Sequence, residues 1–130
     1  MSKALFSETT DDDHASDMAA FLARRDAAVF VAERPDGSVC GYVEAGTRSI
    51  ADGCSTSPVG YIEAWYVDPD VRRGGYGRAL LEAAESWAVE QGYREMASDA
   101  LLDNDVSHEA HKRSGYVEVD RVITYRKPLP

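Results

Sequence analysis

The fold is decided by the stretch Val59-Gly60-Tyr61-Ile62-Glu63-Ala64-Trp65-Tyr66-Val67, the turn Asp68-Pro69-Asp70 and the loop Arg72-Arg73-Gly74-Gly75-Tyr76-Gly77-Arg78. The first nine residues form an apolar run typical of a buried strand. The loop opens a segment with apolar residues at helical spacing, namely Tyr76, Leu80, Ala83, Ala84 and Trp87. A strand that leads through a glycine-rich turn into a helix predicts a pyrophosphate site, because free N–H groups and the positive end of the helix dipole meet there.

The spacing within the loop distinguishes it from other phosphate-binding motifs. The pattern Arg72-x-x-Gly75-x-Gly77 lacks the Gly-Lys-Ser/Thr end of a Walker loop and is not the Gly-x-Gly-x-x-Gly of dinucleotide-binding folds. Glycines let the backbone approach a ligand closely, and arginines add charged donors. The alternative is a turn with two solvated arginines, which the flanking strand and helix disfavour.

Length, composition and charge predict one globular domain over residues 1–130. The chain is 44% hydrophobic with a formal net charge of -9. We expect a cytoplasmic protein, because we find no signal peptide, no run long enough to cross a bilayer and no CxxC pairing of Cys40 with Cys54. The charge disfavours nucleic acid and anionic membranes as partners. It is compatible with a cationic small molecule, although on charge alone solubility is the simpler explanation.

The remaining pattern predicts an α+β domain with one mixed sheet flanked by helices. In chain order the predicted elements are a helix over 14–25, strands over 28–32 and 39–48 joined by a hairpin turn, a polar loop over 49–58, the strand over 59–67, a helix from 76 to the cap Gly92, a strand over 93–98, a helix from about 103 to the cap Gly115, and one or two strands over 116–127.

With these elements in place, the chain resembles the GNAT N-acetyltransferases over nearly its full length, and the aminoglycoside 6'-N-acetyltransferases in particular. The loop from Arg72 to Arg78 is typical of the whole superfamily. The narrower signals are Tyr61-Ile62-Glu63, the run Ala97-Ser98-Asp99-Ala100-Leu101-Leu102-Asp103-Asn104, and the ending from Ser107 through Gly115-Tyr116 to Asp120-Arg121. The resemblance implies the GNAT fold and transfer of acetyl from acetyl-CoA to a primary amine.

The resemblance also implies which residues bind the co-substrate. The backbone of Trp65, Tyr66 and Val67 would pair with the pantetheine arm in a gap beside the neighbouring strand, and a backbone N–H would polarise the thioester carbonyl. Asn104 would hydrogen-bond the pantetheine from the N-terminus of the second helix. The pyrophosphate would bind the loop residues Arg72, Arg73, Gly74, Gly75, Tyr76, Gly77 and Arg78.

The amine acceptor requires a carboxylate, because a lysine-like ammonium with a pKa of about 10.4 is roughly one part in a thousand free base near neutral pH. Glu63 is the candidate base or ammonium anchor, since it is a lone acid in an apolar strand. By the family pattern Asp99 and Asp120 anchor substrate amines. The alternatives are a solvated strand acid for Glu63, a helix-approach cap for Asp99 and a surface acid for Asp120.

His111 occupies the position where many GNAT enzymes place a tyrosine that protonates the leaving thiolate. An imidazole could serve as that acid, and a helix histidine packed against the sheet is the alternative. The run His108-Glu109-Ala110-His111 is one residue short of HExxH, and no other ligand cluster appears. We therefore predict no metal.

Two features depart from the family pattern. Phe6 and Ile50 stand where this subfamily commonly places a tryptophan and a tyrosine that line the aminoglycoside pocket. The chain also begins without the usual first strand and with only the tail of the first helix. A missing strand would leave a sheet edge exposed, so we expect a homodimer.

The prediction is therefore an acetyl-CoA-dependent N-acetyltransferase acting on the 6'-amine of an aminoglycoside. The first alternative keeps this chemistry with a metabolic polyamine, an amino sugar or a protein amine as the acceptor, which Phe6 and Ile50 favour. The second is a non-catalytic acyl-CoA-binding module.

Overall fold

The structure, a computed structural model, describes residues 26–130, in which four strands form one mixed sheet. The strands are β1 (Ala28–Glu33), β2 (Val39–Arg48), β3 (Val59–Val67) and β4 (Met96–Ser98), in the spatial order β1-β2-β3-β4. Strands β1, β2 and β3 pair antiparallel, and β4 pairs parallel with β3. Two α-helices follow β3, namely α1 (Tyr76–Glu90) and α2 (Asp105–Arg113). This is the α+β arrangement that the sequence predicts.

Helix α1 covers one face of the sheet and forms the core with it. Leu80 and Leu81 are 0% and 1% exposed, and they pack against buried side chains of β1, β2 and β3. Truncation of such a leucine to alanine typically costs about 2–5 kcal/mol of stability. The core therefore holds the beginning of α1 at a fixed place beside the end of β3.

A clamp ties the β1–β2 hairpin to the turn that follows β3. One Arg34 nitrogen lies 2.8 Å from Asp68 and 2.9 Å from Asp70, across a short 3-10 helix at Pro69–Val71. The Asp68 N–H also donates to the Cys40 carbonyl at 2.7 Å. These contacts fix the chain immediately before the glycine-rich loop.

The parallel pairing of β3 with β4 is short. It runs from Gly60 opposite Met96 to Ile62 opposite Ser98, and then ends. From Glu63 to Val67, no strand of residues 26–130 pairs with that edge of β3. The gap that the family resemblance implies is therefore present in the fold, and it lies beside the C-terminal half of β3.

Several predicted elements differ from the structure. The strand predicted over 93–98 is shorter in the structure, where β4 is Met96–Ser98. Before it, the Glu95 side chain accepts hydrogen bonds from the N–H groups of Ser55 and Thr56. The terminal strands predicted over 116–127 are wrong: the backbone there belongs to no strand and its side chains are exposed beyond Tyr116. None of the four strands within residues 26–130 pairs with this segment. The helix predicted over 14–25 lies outside the described residues.

Within residues 26–130, no helix combines the length and the apolar character that crossing a membrane requires.

Candidate functional site

The phosphate loop, Arg72–Arg78, wraps from the 3-10 helix into the N-terminus of α1. Gly75 is the N-cap of α1 in a left-handed conformation with φ of 90°, and no side chain caps the helix there. A Cβ added to Gly75 would meet no described atom within 4 Å, so the space beside Gly75 is open among residues 26–130. An open N-terminus without a side-chain cap offers its N–H groups and its dipole to an anion.

The three arginines of the phosphate loop are exposed, and each is held differently. Arg73 adopts φ of 71°, the left-handed region that a non-glycine residue seldom occupies. Arg72 donates from Nε to the Val67 carbonyl at 3.0 Å, which ties the loop to the end of β3. Arg78 pairs loosely with Glu82 at 3.6 Å on the first turns of α1. The guanidinium groups are thus available to solvent around the open helix N-terminus.

The C-terminal half of β3 joins this loop to the core. The Trp65 indole donates to the Gly77 carbonyl at 3.1 Å and so fixes the first turn of α1 against the strand. Tyr66 points to the opposite face, where its ring lies 6.1 Å from that of Tyr42. The backbone from Trp65 to Val67 lies along the part of the β3 edge that no strand within residues 26–130 pairs with.

Asn104 is the N-cap of α2. Its Oδ1 accepts a hydrogen bond from the Ser107 N–H at 3.1 Å, which satisfies one of the free donors of the helix. The amide nitrogen of the same side chain is not needed for this cap. Asn104 therefore has a structural role at this position in addition to the binding role predicted for it.

Glu63 is the extra residue of a β-bulge. In the β2–β3 pairing Glu44 faces Ala64 while Ala45 faces Ile62, so Glu63 has no opposite residue. Bulges reorient a side chain and interrupt pairing, and they are common next to active sites. The bulge directs Glu63 toward the face that bears Gly46 and Tyr61, away from α1. It also falls where the pairing of β3 with β4 ends.

Arg48 and Tyr61 connect the two predicted acids of this region, Glu63 and Asp99. We call these four side chains the Glu63 cluster. Arg48 forms a two-pronged ion pair with Glu63, with N–O distances of 2.8 and 3.2 Å. The same guanidinium lies 3.6 Å above the centre of the Tyr61 ring. The Tyr61 hydroxyl donates to Asp99 Oδ2 at 2.7 Å.

Burial and then the hydrogen bond to Asp99 raise the pKa of Tyr61 to about 12. The hydroxyl therefore stays protonated at physiological pH and donates to the Asp99 carboxylate. Asp99 follows β4 directly and its side chain is exposed at the open side of the sheet. The Glu63 cluster thus brings together two carboxylates, an aromatic face and a neutral phenol, and these groups suit the binding of a cation.

His111 lies on the other face of the sheet, on α2. Its Nδ1 donates to the Ser107 carbonyl at 2.7 Å, so in the neutral ring Nε2 is the acceptor for the Ser98 hydroxyl at 2.8 Å. The ring packs edge-on against Trp65 and Tyr116. His111 is thus held by β3, β4 and α2 together, and only its doubly protonated form carries a proton on Nε2.

Two other predicted site residues, Asp120 and Ile50, lie apart from these groups. Asp120 is exposed in the segment after α2, where its carboxylate accepts from the Arg121 N–H. Ile50 is 79% exposed in the loop between β2 and β3. Phe6 lies outside the described residues. Among residues 26–130, no group of three or more His, Cys, Asp or Glu side chains is arranged to hold a metal ion.

Sequence reasoning missed Arg48 and the bridging role of Tyr61. Arg48 ends β2 and lies opposite Val59, and only the paired register brings it beside Glu63. The available signal was the alternation of the two strands. Gly46 and Arg48 share a face of β2, and the antiparallel pairing places Tyr61 on the same face.

Comparison with known proteins identifies relatives of the same architecture. A sequence profile of the acetyltransferase (GNAT) family matches residues 1–116. Aminoglycoside N(6')-acetyltransferase type 1 of Klebsiella aerogenes is 43% identical over 128 residues, which cover 96% of this chain and 84% of that protein.

Two solved structures resemble the fold closely. Aminoglycoside 6'-N-acetyltransferase AAC(6')-IG from Acinetobacter haemolyticus superposes with a TM-score of 0.81 at 34% identity, covering 96% of this chain and 86% of that one. AAC(6')-Iy, solved in complex with the bisubstrate analogue CoA-S-monomethyl-acetylneamine, gives a TM-score of 0.82 at 36% identity, covering 92% and 82%.

Proposed function

The chain belongs to the acetyltransferase (GNAT) family, and on that premise we propose that it transfers acetyl from acetyl-CoA to the 6'-amine of an aminoglycoside. The names of its relatives support the acceptor class. The observation that supports the mechanism most directly is the free edge of β3. This edge begins at Glu63, beside the Glu63 cluster, whose side chains suit a cation. It ends at Val67, whose carbonyl accepts a hydrogen bond from Arg72 of the phosphate loop.

On the co-substrate side, the residues present fit a CoA pyrophosphate and its pantetheine arm. The open N-terminus of α1 at Gly75 suits the pyrophosphate, and the exposed Arg72 and Arg73 add charged donors. The free backbone groups from Trp65 to Val67 suit a pantetheine arm that extends the sheet. The N–H groups of that edge suit an acyl oxygen that becomes negative during transfer. The Asn104 amide nitrogen, which the cap of α2 does not use, is the proposed donor to the pantetheine.

On the acceptor side, the Glu63 carboxylate binds the ammonium and takes up its proton, directly or through water. Asp99 anchors a second positive group of the acceptor, with the Tyr61 hydroxyl holding the carboxylate in place. His111, in its protonated form, supplies the proton that the leaving thiolate requires. Glu63, Asp99 and His111 are the proposed catalytic residues.

The test is release of CoA thiol from acetyl-CoA in the presence of a panel of amines. The panel contains aminoglycosides with a free 6'-amine, matched aminoglycosides in which that amine is absent or blocked, spermidine, amino sugars and lysine-bearing peptides. We expect turnover with the first group only. Turnover with spermidine or amino sugars alone would move the acceptor to a metabolic amine, as the exposed aliphatic Ile50 would favour. Binding of acetyl-CoA with no turnover would indicate a non-catalytic module.

We also propose that two copies associate through the C-terminal segment, residues 117–130. Every residue of this segment is exposed, and the large apolar side chains Val117, Val119, Ile123 and Tyr125 occupy alternate positions, as in a strand. Strand β4 is an edge of the sheet. A second copy suits both features, because an unpaired apolar segment and an open strand edge complement each other. Asp120 lies on this segment, so docking would bring its carboxylate to the neighbouring copy.

Light scattering of the full chain tests this association. We expect a dimer for the wild type and a monomer for Ile123→Asp. Val89→Asp, on an exposed position of α1, is the matched control and is expected to stay dimeric. A wild-type monomer would disprove the association. A cytoplasmic location is proposed as well, supported by the unpaired Cys40 and Cys54, and fractionation of cells that express the chain tests it.

A further inference from the structure

The Glu63 cluster already contains a cation of the protein itself. We propose that the Arg48 guanidinium occupies the place of the acceptor ammonium in the free protein, and that an amine must displace it to reach Glu63. Arg48 is then a specificity-determining residue that selects acceptors with several positive charges. This inference rests on the proposed acetyl transfer to an amine and adds the way in which the acceptor is selected.

The contacts of Arg48 are those that an acceptor cation would make. Two guanidinium nitrogens lie 2.8 and 3.2 Å from the Glu63 oxygens, and the guanidinium carbon lies 3.6 Å above the Tyr61 ring. A carboxylate and an aromatic face that one cation can contact together form a general binding site for cations, and ammonium groups are among them. One positive group fills this site, so Arg48 and a substrate ammonium exclude each other.

Gly46, two residues before Arg48 on β2, gives Glu63 the room to reach Arg48. A Cβ on Gly46 would lie 3.3 Å from the Glu63 carboxylate, so this carboxylate lies over the Gly46 backbone. The Glu63 side chain is 24% exposed, and an incoming amine can therefore reach the carboxylate from solvent.

Arg48 can leave this site because it is not buried. Its side chain is 45% exposed, compared with 24% for Glu63. Ion pairs at such exposed positions contribute little to stability, and a guanidinium on a long stem can rotate into solvent. If Arg48 stayed in place, a substrate ammonium beside it would be repelled, because two positive charges would share one carboxylate.

Displacement makes acceptors with several charges more effective than monoamines. A polyamine sugar contacts Asp99 as well as Glu63, so it gains a second interaction while it displaces Arg48. A simple monoamine gains only the contact that Arg48 already makes. We therefore expect Arg48 to reduce the use of monoamines more than the use of multiply charged acceptors.

The test compares steady-state kinetics of the wild type with Arg48→Gln. We expect the KM for the acceptor amine to fall about tenfold, or about 1.4 kcal/mol, while the KM for acetyl-CoA stays unchanged. Monoamines, which the wild type is not expected to acetylate, should become measurable acceptors of the variant. Arg113→Gln, an equal change of charge at the exposed end of α2, should leave both values as in the wild type. An unchanged or higher acceptor KM in Arg48→Gln would overturn the proposal, the latter making Arg48 a substrate-binding group.

Methylguanidinium supplies a second readout that a structural role of Arg48 would not affect. It should occupy the site left by Arg48→Gln and should inhibit that variant competitively with the amine, with at least tenfold weaker inhibition of the wild type. Equal inhibition of the two proteins would overturn the proposal. If the wild type acetylates no amine, the proposed function fails, but calorimetry of methylguanidinium binding to both proteins still decides the role of Arg48. Tighter binding to Arg48→Gln than to the wild type would support the proposal, and equal binding would contradict it.

Discussion

The phosphate loop and the Glu63 cluster are the two halves of the proposed site, and the chain assembles them in different ways. The phosphate loop is a continuous stretch of seven residues, and its glycines and arginines act through the local conformation at the start of α1. The Glu63 cluster takes its four side chains from β2, β3 and the residue after β4. A local loop depends on backbone geometry, whereas the cluster depends on strand register and a single bulge. Mutations should therefore separate binding of the co-substrate from chemistry on the acceptor.

The largest expected effect is that of Glu63→Gln. Glutamine keeps the size of the side chain and removes the base and the negative charge, so we expect kcat to fall by about 10²–10⁴-fold. Calorimetric affinity for acetyl-CoA should remain within about twofold, because the phosphate loop lies beyond the other end of the free edge of β3. Glu90→Gln, on the exposed end of α1, is the control and should behave as the wild type. Equal rates of Glu63→Gln and wild type across pH would remove Glu63 as base and anchor.

The phosphate loop should show the opposite pattern. In the double variant Arg72→Ala/Arg73→Ala we expect acetyl-CoA to bind about tenfold to hundredfold more weakly. Both arginines are exposed and screened by solvent, so together they should contribute about as much as one charged hydrogen bond, about 1.5–3 kcal/mol. The relative preference among amines should stay the same. Calorimetry measures the first quantity and the amine panel the second.

Arg73→Gly separates the guanidinium from the backbone at this position. Arg73 has φ of 71°, a conformation that glycine adopts without strain, so this variant loses the charge but keeps or improves the loop geometry. A loss of affinity equal to that of Arg73→Ala would assign the effect to the charge. Unchanged affinity in the double alanine variant would contradict the assignment of the loop to pyrophosphate.

The sequence predicted the strand and the helix that carry the local half of the proposed site, and it missed much of the assembled half. Strands β2 and β3 have the predicted bounds, and α1 ends before Gly92, because apolar alternation and a glycine in the left-handed cap conformation are local signals. The bulge at Glu63 and the ion pair with Arg48 depend on which residues of two strands face each other, a choice made by packing of the whole sheet.

The C-terminal segment shows that a strand-like sequence pattern alone does not produce a strand. Val117, Val119, Ile123 and Tyr125 follow the alternation of a strand, interrupted by Arg121, yet no strand within residues 26–130 pairs with this segment. A pattern records the propensity to form a strand, and pairing requires a neighbour as well. The proposed second copy would provide that neighbour, so the prediction of strands would then hold for the assembly.

The smallest expected effect concerns Asn104. This residue caps α2 locally, and it is also a proposed contact to the pantetheine. Asn104→Ala loses both roles, and we expect it to lower the free energy of unfolding by about 0.5–2 kcal/mol. Asn104→Ser keeps an oxygen that accepts from the Ser107 N–H and loses only the amide donors. Denaturation should therefore separate the two variants, whereas acetyl-CoA affinity should fall by a similar severalfold factor in both. If Asn104→Ser bound acetyl-CoA as tightly as the wild type, Asn104 would be a cap alone, and the co-substrate side would consist of β3 and the phosphate loop without α2.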